Sequence, residues 1–170
     1  MTRFQELLSG GDLRSIGNSN LIVSEIRNQT DFDELFECFF NNDRIVVMRA
    51  ADAIEKITLQ HPSYLIQHKN ALLELCRAAK HKELKWHLAL LLPRLHLSAK
   101  EIVIAWQILS CWASDKTESK IVRVNSLQAL YEIVATEKKF TERFEALTSR
   151  MKQESIPSIN ARIKKLKFPN

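Results

Sequence analysis

The chain has 170 residues, of which 45 % are apolar and 26 % are charged, and its formal net charge is +5. This length suits one compact domain or one short repeat array, and the apolar share is large enough for a hydrophobic core. With three glycines and four prolines, the chain lacks the many turns that a sheet protein needs, so the composition excludes an all-β fold and favours an all-helical one. The moderate positive charge permits binding to nucleic acid or to an acidic protein without requiring either.

The N-terminal sequence and the cysteines indicate a cytoplasmic protein. The first residues contain no apolar segment followed by a cleavage site, so we expect no signal peptide, and no apolar run approaches the length of a membrane span. Cys38, Cys76 and Cys111 are odd in number and lie within apolar patterns, without a CxxC motif. We therefore expect reduced cysteines in the core, with neither disulfides nor a metal site.

Apolar residues at helical spacing predict four helices in the first half of the chain. They are expected over 3–8, over 13–28, from Thr30 or Asp31 onward, and over 43–60. The third carries a stripe that we expect to be buried as core, made of Phe32, Leu35, Phe36, Phe39 and Phe40.

The second half of the chain predicts six more helices, over 63–79, 83–95, 99–113, 120–136, 139–154 and a short one starting near Pro157. Pro93 is expected to kink or end its helix early, and Ser98 with Glu101 forms a capping box at the start of the next. The helix over 99–113 is apolar nearly all round, so we expect it to be covered on two sides. Ile102, Ala105, Trp106, Leu109 and Trp112 make one apolar face, and Val103, Ile104, Ile108 and Cys111 make another. The alternative is an exposed patch that binds a partner.

An internal repeat organises these helices. The pair Ile54/Ile57 recurs 38 residues later as Leu92/Leu95 and again as Leu130/Ile133, with one further helix between successive copies. Such a period predicts an all-α superhelix, or solenoid, of about four to five antiparallel helix pairs. We expect a single domain over 1–170, with N-terminal cap helices at 1–28, the best-formed repeats at 31–136 and a basic C-terminal cap at 139–170.

One copy of the repeat carries a family resemblance. Asp43 and Arg49, followed by Ala-Ala-Asp-Ala-Ile-Glu-Lys-Ile57, resemble a repeat of the HEAT and armadillo-like families. The resemblance implies a ladder in which this Asp and Arg bond across neighbouring repeats. Arg49 is matched by His87 and Asn125 in the next copies, so we expect a hydrogen-bonded ladder in place of an ionic one. The main expected effect of Arg49→Ala is therefore a lower stability of the fold, rather than the loss of a binding activity.

Signatures of catalysis are missing from the sequence. It contains no GxSxG, no HExxH and no glycine-rich phosphate loop, and His81 and His87 are six residues apart, whereas paired metal ligands on a helix are three or four apart. We therefore expect no enzyme activity, no cofactor and no metal site.

The resemblance implies that the second helices of the pairs line a concave surface where partners bind. The candidate partner-binding residues on them are Arg44, Met48, Asp52, Lys85, Trp86 and Arg123. The alternative for these positions is packing against a neighbouring helix.

The C-terminal helix is basic, through Arg162, Lys164, Lys165 and Lys167. These residues either keep an apolar cap helix soluble or form an electrostatic footprint for nucleic acid.

The leading hypothesis is a non-catalytic scaffold that binds a protein or peptide, as a monomer or as a dimer through an open solenoid end. A nucleic-acid binder that uses the basic end is the alternative. A weaker one is a HEAT-like enzyme acting on DNA, although no Asp is convincingly placed among Trp86, Trp106 and Trp112.

Overall fold

A computed structural model of the chain describes residues 2–12 and 15–166, and every regular element in those ranges is helical. The α-helices are α1 (Arg3–Leu8), α2 (Ser19–Glu25), α3 (Gln29–Phe36), α4 (Arg44–Gln60), α5 (Lys69–Ala78), α6 (Lys82–Leu91), α7 (Ala99–Ser114), α8 (Lys120–Thr136), α9 (Thr141–Gln153) and α10 (Pro157–Lys165). Short 3-10 segments occupy Glu37–Phe40, Pro62–His68, Leu92–Arg94 and Lys138–Phe140. The predicted all-α fold class is confirmed.

The helices follow one another in pairs, from α1/α2 to α9/α10. Three successive second helices, α4, α6 and α8, begin at Arg44, Lys82 and Lys120, which reproduces the 38-residue period. The repeated apolar position is buried each time, since Ile54, Leu92 and Leu130 are 0 %, 1 % and 0 % exposed. The recurrence in the sequence is therefore a recurrence of buried positions.

The chain divides into two compact units, Met1–Asn70 and Ala71–Asn170. In the first unit α4 packs against α1, α2, α3 and the 3-10 segments on either side of it. Ala50, Ala51 and Ala53 are completely buried, because small side chains on α4 let the neighbouring helices approach closely.

In the second unit α8 packs against α6, α7, α9 and α10. Its apolar residues Val122, Leu127 and Leu130 are completely buried. Burying each such side chain contributes about 1.5–3 kcal/mol, so α8 is the centre of this unit.

Most helix ends follow the predicted local chemistry. The Asp43 carboxylate accepts a 2.8 Å hydrogen bond from the backbone N–H of Ile45 and so caps α4. Ser98 and Glu101 form the capping box of α7. Pro93 lies in the 3-10 turn Leu92–Arg94, and α6 ends at Leu91, because proline offers no backbone N–H for the next helical bond.

Three predicted helices differ in extent. The helix expected over 13–28 is shorter, Ser19–Glu25, because Gly17 just before it has a left-handed φ of 54°; its predicted first two residues lie outside the described ranges. Asn28, rather than Thr30 or Asp31, caps α3. The helix expected over 63–79 begins instead as the 3-10 segment that follows Pro62.

Three expectations about burial are wrong. Phe40 is 55 % exposed, because the helix tightens to 3-10 at Glu37–Phe40 and turns this ring out of the stripe. Cys111 is exposed as well. Helix α7 is covered on one side only: Trp106 and Leu109 are buried, whereas Val103 is 37 % exposed and Ile104 and Ile108 are half-buried.

Candidate functional site

Arg123 of α8 is a buried cation held by three strong hydrogen bonds. Its Nη1 and Nη2 donate to the two carboxylate oxygens of Glu154 over 2.8 Å each, and its Nε donates to the carbonyl of Ala113 over 2.8 Å. A bidentate pair of this kind is about twice as strong as neutral hydrogen bonds. At 1 % exposure Arg123 has no surface to offer, so its prediction as a partner-binding residue is wrong.

Lys85 of α6 holds the equivalent position, 38 residues earlier in the sequence. Its Nζ forms an ion pair with Glu118, and both side chains are only 13 % exposed. The ammonium also lies 5.7 Å from the centre of the Trp112 ring, which is close enough for a cation–π attraction. This partner-binding candidate, too, is engaged inside its own unit.

Glu118 and Glu154 both lie in the turn that precedes the second helix of the next pair. Each ion pair therefore joins one helix pair to the next, and the two together form an ionic ladder. Lys85 and Arg123 lie two residues before His87 and Asn125, the positions at which a ladder was expected. This ionic ladder was not predicted, because the sequence pattern does not reveal which turn residue faces which helix.

At the expected register the contacts are of a different kind. His87 is 6 % exposed, with its ring 5.4 Å from that of Trp86. The Asn125 side-chain amide donates a 3.3 Å hydrogen bond to the carbonyl of Trp86. Both residues therefore make polar or aromatic contacts inside the second unit.

Arg49 of α4 is enclosed by backbone carbonyls. Its guanidinium donates to the carbonyl oxygens of Leu8, Ser9, Gly10, Asp12 and Ser15, over 2.7–3.3 Å. It is 3 % exposed, and the carbonyls belong to the last residue of α1 and to the connection that follows it. Arg49 thus ties α4 to the preceding helix pair, whereas Asp43 acts as the cap of α4.

Two glycines make room for this guanidinium. A Cβ on Gly17 would lie 2.7–2.9 Å from three atoms of Arg49, and a Cβ on Gly11 would lie 3.0 Å from Nη2. Both glycines also have positive φ, 54° and 77°. The described part of the connection between α1 and α2 is therefore built around Arg49.

The other partner-binding candidates divide into buried and surface residues. Met48 is 5 % exposed, so its prediction is wrong, because α4 is covered on this side as well. Asp52 accepts hydrogen bonds from Ser19 and from Lys56. Trp86 is half-buried and Arg44 is exposed.

The basic C-terminal residues are not equivalent. The Arg162 guanidinium donates a 2.9 Å hydrogen bond to the side-chain oxygen of Gln128, so it contributes to packing between α10 and α8. Lys164 and Lys165 are exposed, and Lys167 lies outside the described residues.

A polar cluster in the first unit centres on Asp33. Its Oδ1 accepts hydrogen bonds from Gln29 and Gln67 over 2.7 and 2.6 Å and lies 2.7 Å from Nε2 of His68. The His68 ring stacks on Phe36 with centres 3.9 Å apart. Burial raises the pKa of Asp33, but the hydrogen bonds outweigh it and hold the pKa below the ordinary 3.8.

The three thiols differ in environment. Burial, with Glu34 nearby, raises the pKa of Cys38 to about 11, and burial raises the pKa of Cys76 as well. Cys111 is exposed on α7. Across residues 2–12 and 15–166, no group of three or more His, Cys, Asp or Glu side chains is arranged to hold a metal ion, and no helix is long and apolar enough to cross a membrane.

An open groove runs between α7 and α9, and sequence reasoning missed it. One cavity of about 370 Å³ is lined by Trp106, Ser110, Cys111, Arg143, Leu147 and Arg150. A second, of about 360 Å³, shares Ser114, Leu147 and Arg150 with it and adds Lys116, Met151 and Glu154. We call this the α7–α9 groove. The only sequence signal is the spacing of Arg143, Ala146, Leu147 and Arg150, which places them on one face of α9.

Repeated helix pairs of this kind, joined by polar contacts at repeated positions, define an α-helical repeat protein. A family model described as a HEAT repeat domain matches residues 11–167. The chain therefore belongs to the HEAT repeat family, whose members generally serve as protein-interaction scaffolds and are typically non-catalytic. No curated protein and no solved structure matches the chain significantly.

Proposed function

We propose that this chain is a non-catalytic scaffold that binds a protein or peptide partner. The observation that carries the proposal is the uncovered apolar side of α7. Val103 and Cys111 are exposed there, and Ile104 and Ile108 are half-buried. Exposed apolar surface is typical of interaction sites.

The polar residues of the second helices support different roles for the first and second helices of each pair. Arg123, Lys85 and Arg49 hold successive helix pairs together. The first helices of the second unit include α7 and α9, and each of these has a side exposed to solvent. The interaction surface is therefore proposed on the first helices of the second unit, rather than on the second helices that the resemblance implied.

A capture experiment tests this proposal. The tagged full-length chain is incubated with soluble extract of the source cells, and bound proteins are quantified by mass spectrometry. We expect Val103→Asp to reduce capture of a specific partner by about tenfold or more, which corresponds to about 1.4 kcal/mol. Ile121→Asp is the matched control, because Ile121 is a similarly exposed aliphatic residue, at 45 %, on α8. A wild-type chain that captures no protein above the level of a heat-denatured sample would contradict the proposal.

Nucleic-acid binding is the second candidate, and exposed Lys164 and Lys165 are the observation that favours it. Binding through phosphate contacts weakens steeply as salt concentration rises. A salt titration with mixed RNA and DNA therefore tests it, and affinity that falls when both lysines are neutralised would support it. The enzyme hypothesis is weaker still, because Trp106 and Trp112 are 5 % and 7 % exposed and offer no open ring face to an extruded base. A cytoplasmic location stays a prediction.

A further inference from the structure

We propose that the α7–α9 groove binds an acidic peptide segment that carries an apolar anchor residue. The proposal rests on the proposed scaffold function and specifies the chemistry of the partner. Carboxylates of the peptide pair with Arg143 and Arg150, and the anchor side chain enters the cavity that Leu147 and Trp106 line.

The charged side chains that line the groove are mainly positive. Arg143 and Arg150 are exposed, and within the described part of the chain neither has a hydrogen-bond or ion-pair partner. Lys116 lies at the same end as Arg150. The one acidic residue among the lining side chains is Glu154, and both of its oxygens are already bound by Arg123. The groove therefore attracts anions, and each free guanidinium can take a carboxylate through two parallel hydrogen bonds.

The spacing of the two arginines fits an extended peptide. They are two helical turns apart on α9, or about 10 Å along the helix axis at 1.5 Å per residue. An extended chain covers that distance in about three residues at 3.3 Å each. Carboxylates three or four residues apart in the peptide therefore reach both guanidinium groups.

The floor of the groove is apolar and fixed. Trp106, Leu147 and Met151 are 5 %, 4 % and 1 % exposed, and the Trp106 ring stacks on Phe140 with centres 4.4 Å apart. Within the described residues, the buried hydroxyl oxygen of Ser110 at this floor has no hydrogen-bond partner.

The same floor argues against a single-stranded nucleic acid as the occupant. Proteins that bind such strands stack bases on open aromatic faces. Here the Trp106 ring is covered by Phe140 and is nearly completely buried. The groove thus offers cations and an apolar floor without a stacking platform, which suits an acidic peptide.

Fluorescence anisotropy with the full-length chain tests the proposal. The probe is a fluorescein-labelled peptide in which glutamates flank a Leu-Phe pair, and the matched peptides carry glutamine or lysine in place of each glutamate. We expect the acidic peptide to bind at least about tenfold more tightly than either matched peptide. The double variant Arg143→Gln/Arg150→Gln should remove at least about tenfold of that affinity.

The control variant Lys164→Gln/Lys165→Gln removes the same charge from exposed positions of α10. It should change the affinity by less than about twofold, because neither lysine lines the groove and salt screens exposed charges that do not contact the peptide. A second readout localises the probe: bound acidic peptide should slow the reaction of Cys111, which lines the groove, with neutral iodoacetamide. Far-UV circular dichroism confirms that both variants are folded.

Three results would overturn the proposal. They are equal affinity for the acidic and the glutamine peptides, equal losses in the groove variant and the α10 variant, and tighter binding of an oligothymidine than of the acidic peptide. If the chain captures a partner from extract and the groove variant captures it equally well, the partner binds elsewhere. In that case the groove assignment fails while the scaffold function stands.

Discussion

Lys85 and Arg123 occupy the same position in two successive second helices, and each binds a glutamate in the turn that leads to the next second helix. The partners are Glu118 and Glu154. The repeat of the sequence is therefore also a repeat of an ion pair, and the pair links consecutive helix pairs within the second unit.

Replacing Arg123 by Met is expected to be strongly destabilising. The substitution keeps an apolar stem of similar length, but it leaves the Glu154 carboxylate and the Ala113 carbonyl without their donor. Removing one partner of a buried pair typically costs about 3–5 kcal/mol. Urea unfolding followed by tryptophan fluorescence measures it, because Trp86, Trp106 and Trp112, which are all the tryptophans of the chain, lie in the second unit.

Lys85→Met is the matched variant for that measurement. The Lys85 side chain is 13 % exposed and that of Arg123 is 2 % exposed. Because Lys85 also lacks the bidentate geometry, we expect a smaller loss of stability than for Arg123→Met. Equal losses for the two variants would show that burial and geometry do not set the strength of the ladder.

Gly17→Ala is expected to destabilise the first unit far more than Gly10→Ala. Both glycines have positive φ, which costs an alanine about 1–2 kcal/mol. A Cβ at Gly10 meets no atom within 4 Å, whereas one at Gly17 meets the Arg49 guanidinium at 2.7–2.9 Å. Hydrogen exchange of the α4 amides reports the difference.

Arg49→Ala provides the control for this comparison. Alone, it should lower stability, because the carbonyls of the loop lose their common donor. In the Arg49→Ala background the extra cost of Gly17→Ala over Gly10→Ala should disappear, since the clash has been removed. An unchanged extra cost would mean that the loop is not built around Arg49.

The contribution of Glu154 to the free energy of unfolding should depend on pH. Hydrogen bonds from Arg123 hold the pKa of Glu154 below its ordinary 4.5, although its partial burial acts in the opposite direction. A carboxyl group with a depressed folded-state pKa stabilises the fold above the unfolded-state pKa, and that stability is lost as the pH falls through the folded-state value. The wild type should therefore exceed Glu154→Gln in stability at neutral pH, and the gap should close below about pH 4.5.

Unfolding curves of both proteins between neutral pH and strongly acidic pH measure this gap. The other carboxyl groups with lowered pKa values, Asp33 and Asp115, titrate in both proteins, so they cancel in the difference. A gap that stays constant into acid would show that Glu154 does not act as a carboxylate.

One cysteine of the native chain, Cys111, should react rapidly with thiol reagents. Cys111 is exposed, whereas Cys38 and Cys76 are buried and have raised pKa values, and the thiolate is the reactive form. Titration with a thiol reagent near neutral pH should therefore modify Cys111 at once and the other two cysteines only after unfolding. Rapid modification of all three thiols in the folded protein would contradict the described burial.

Periodicity in the sequence was sufficient for the elements whose ends and faces depend on local chemistry. The bounds of α8, the capping box at Ser98 and the burial of Ile54 and Leu92 all follow from spacing and capping residues. These features depend on residues within one turn of each other, so a single sequence contains the information.

The contacts that depend on the neighbouring repeat were not predictable in this way. For Met48 and Arg123 the sequence left open partner contact or packing against a neighbouring helix, because helical periodicity does not show whether one or two sides of a helix are covered. Arg49 binds backbone carbonyls, which have no signature in the side-chain sequence. The α7–α9 groove is formed by helices about 40 residues apart, and their juxtaposition appears only in the fold.

A double-mutant cycle on Arg123 and Glu154 tests the central claim most directly, namely that this position of the repeat joins helix pairs rather than contacting a partner. Urea unfolding is measured for the wild type, Arg123→Met, Glu154→Gln and the double variant. We predict a coupling free energy of at least about 1 kcal/mol, within the range for residues in direct contact. A coupling indistinguishable from zero, with near-wild-type stability for both single variants, would contradict the account.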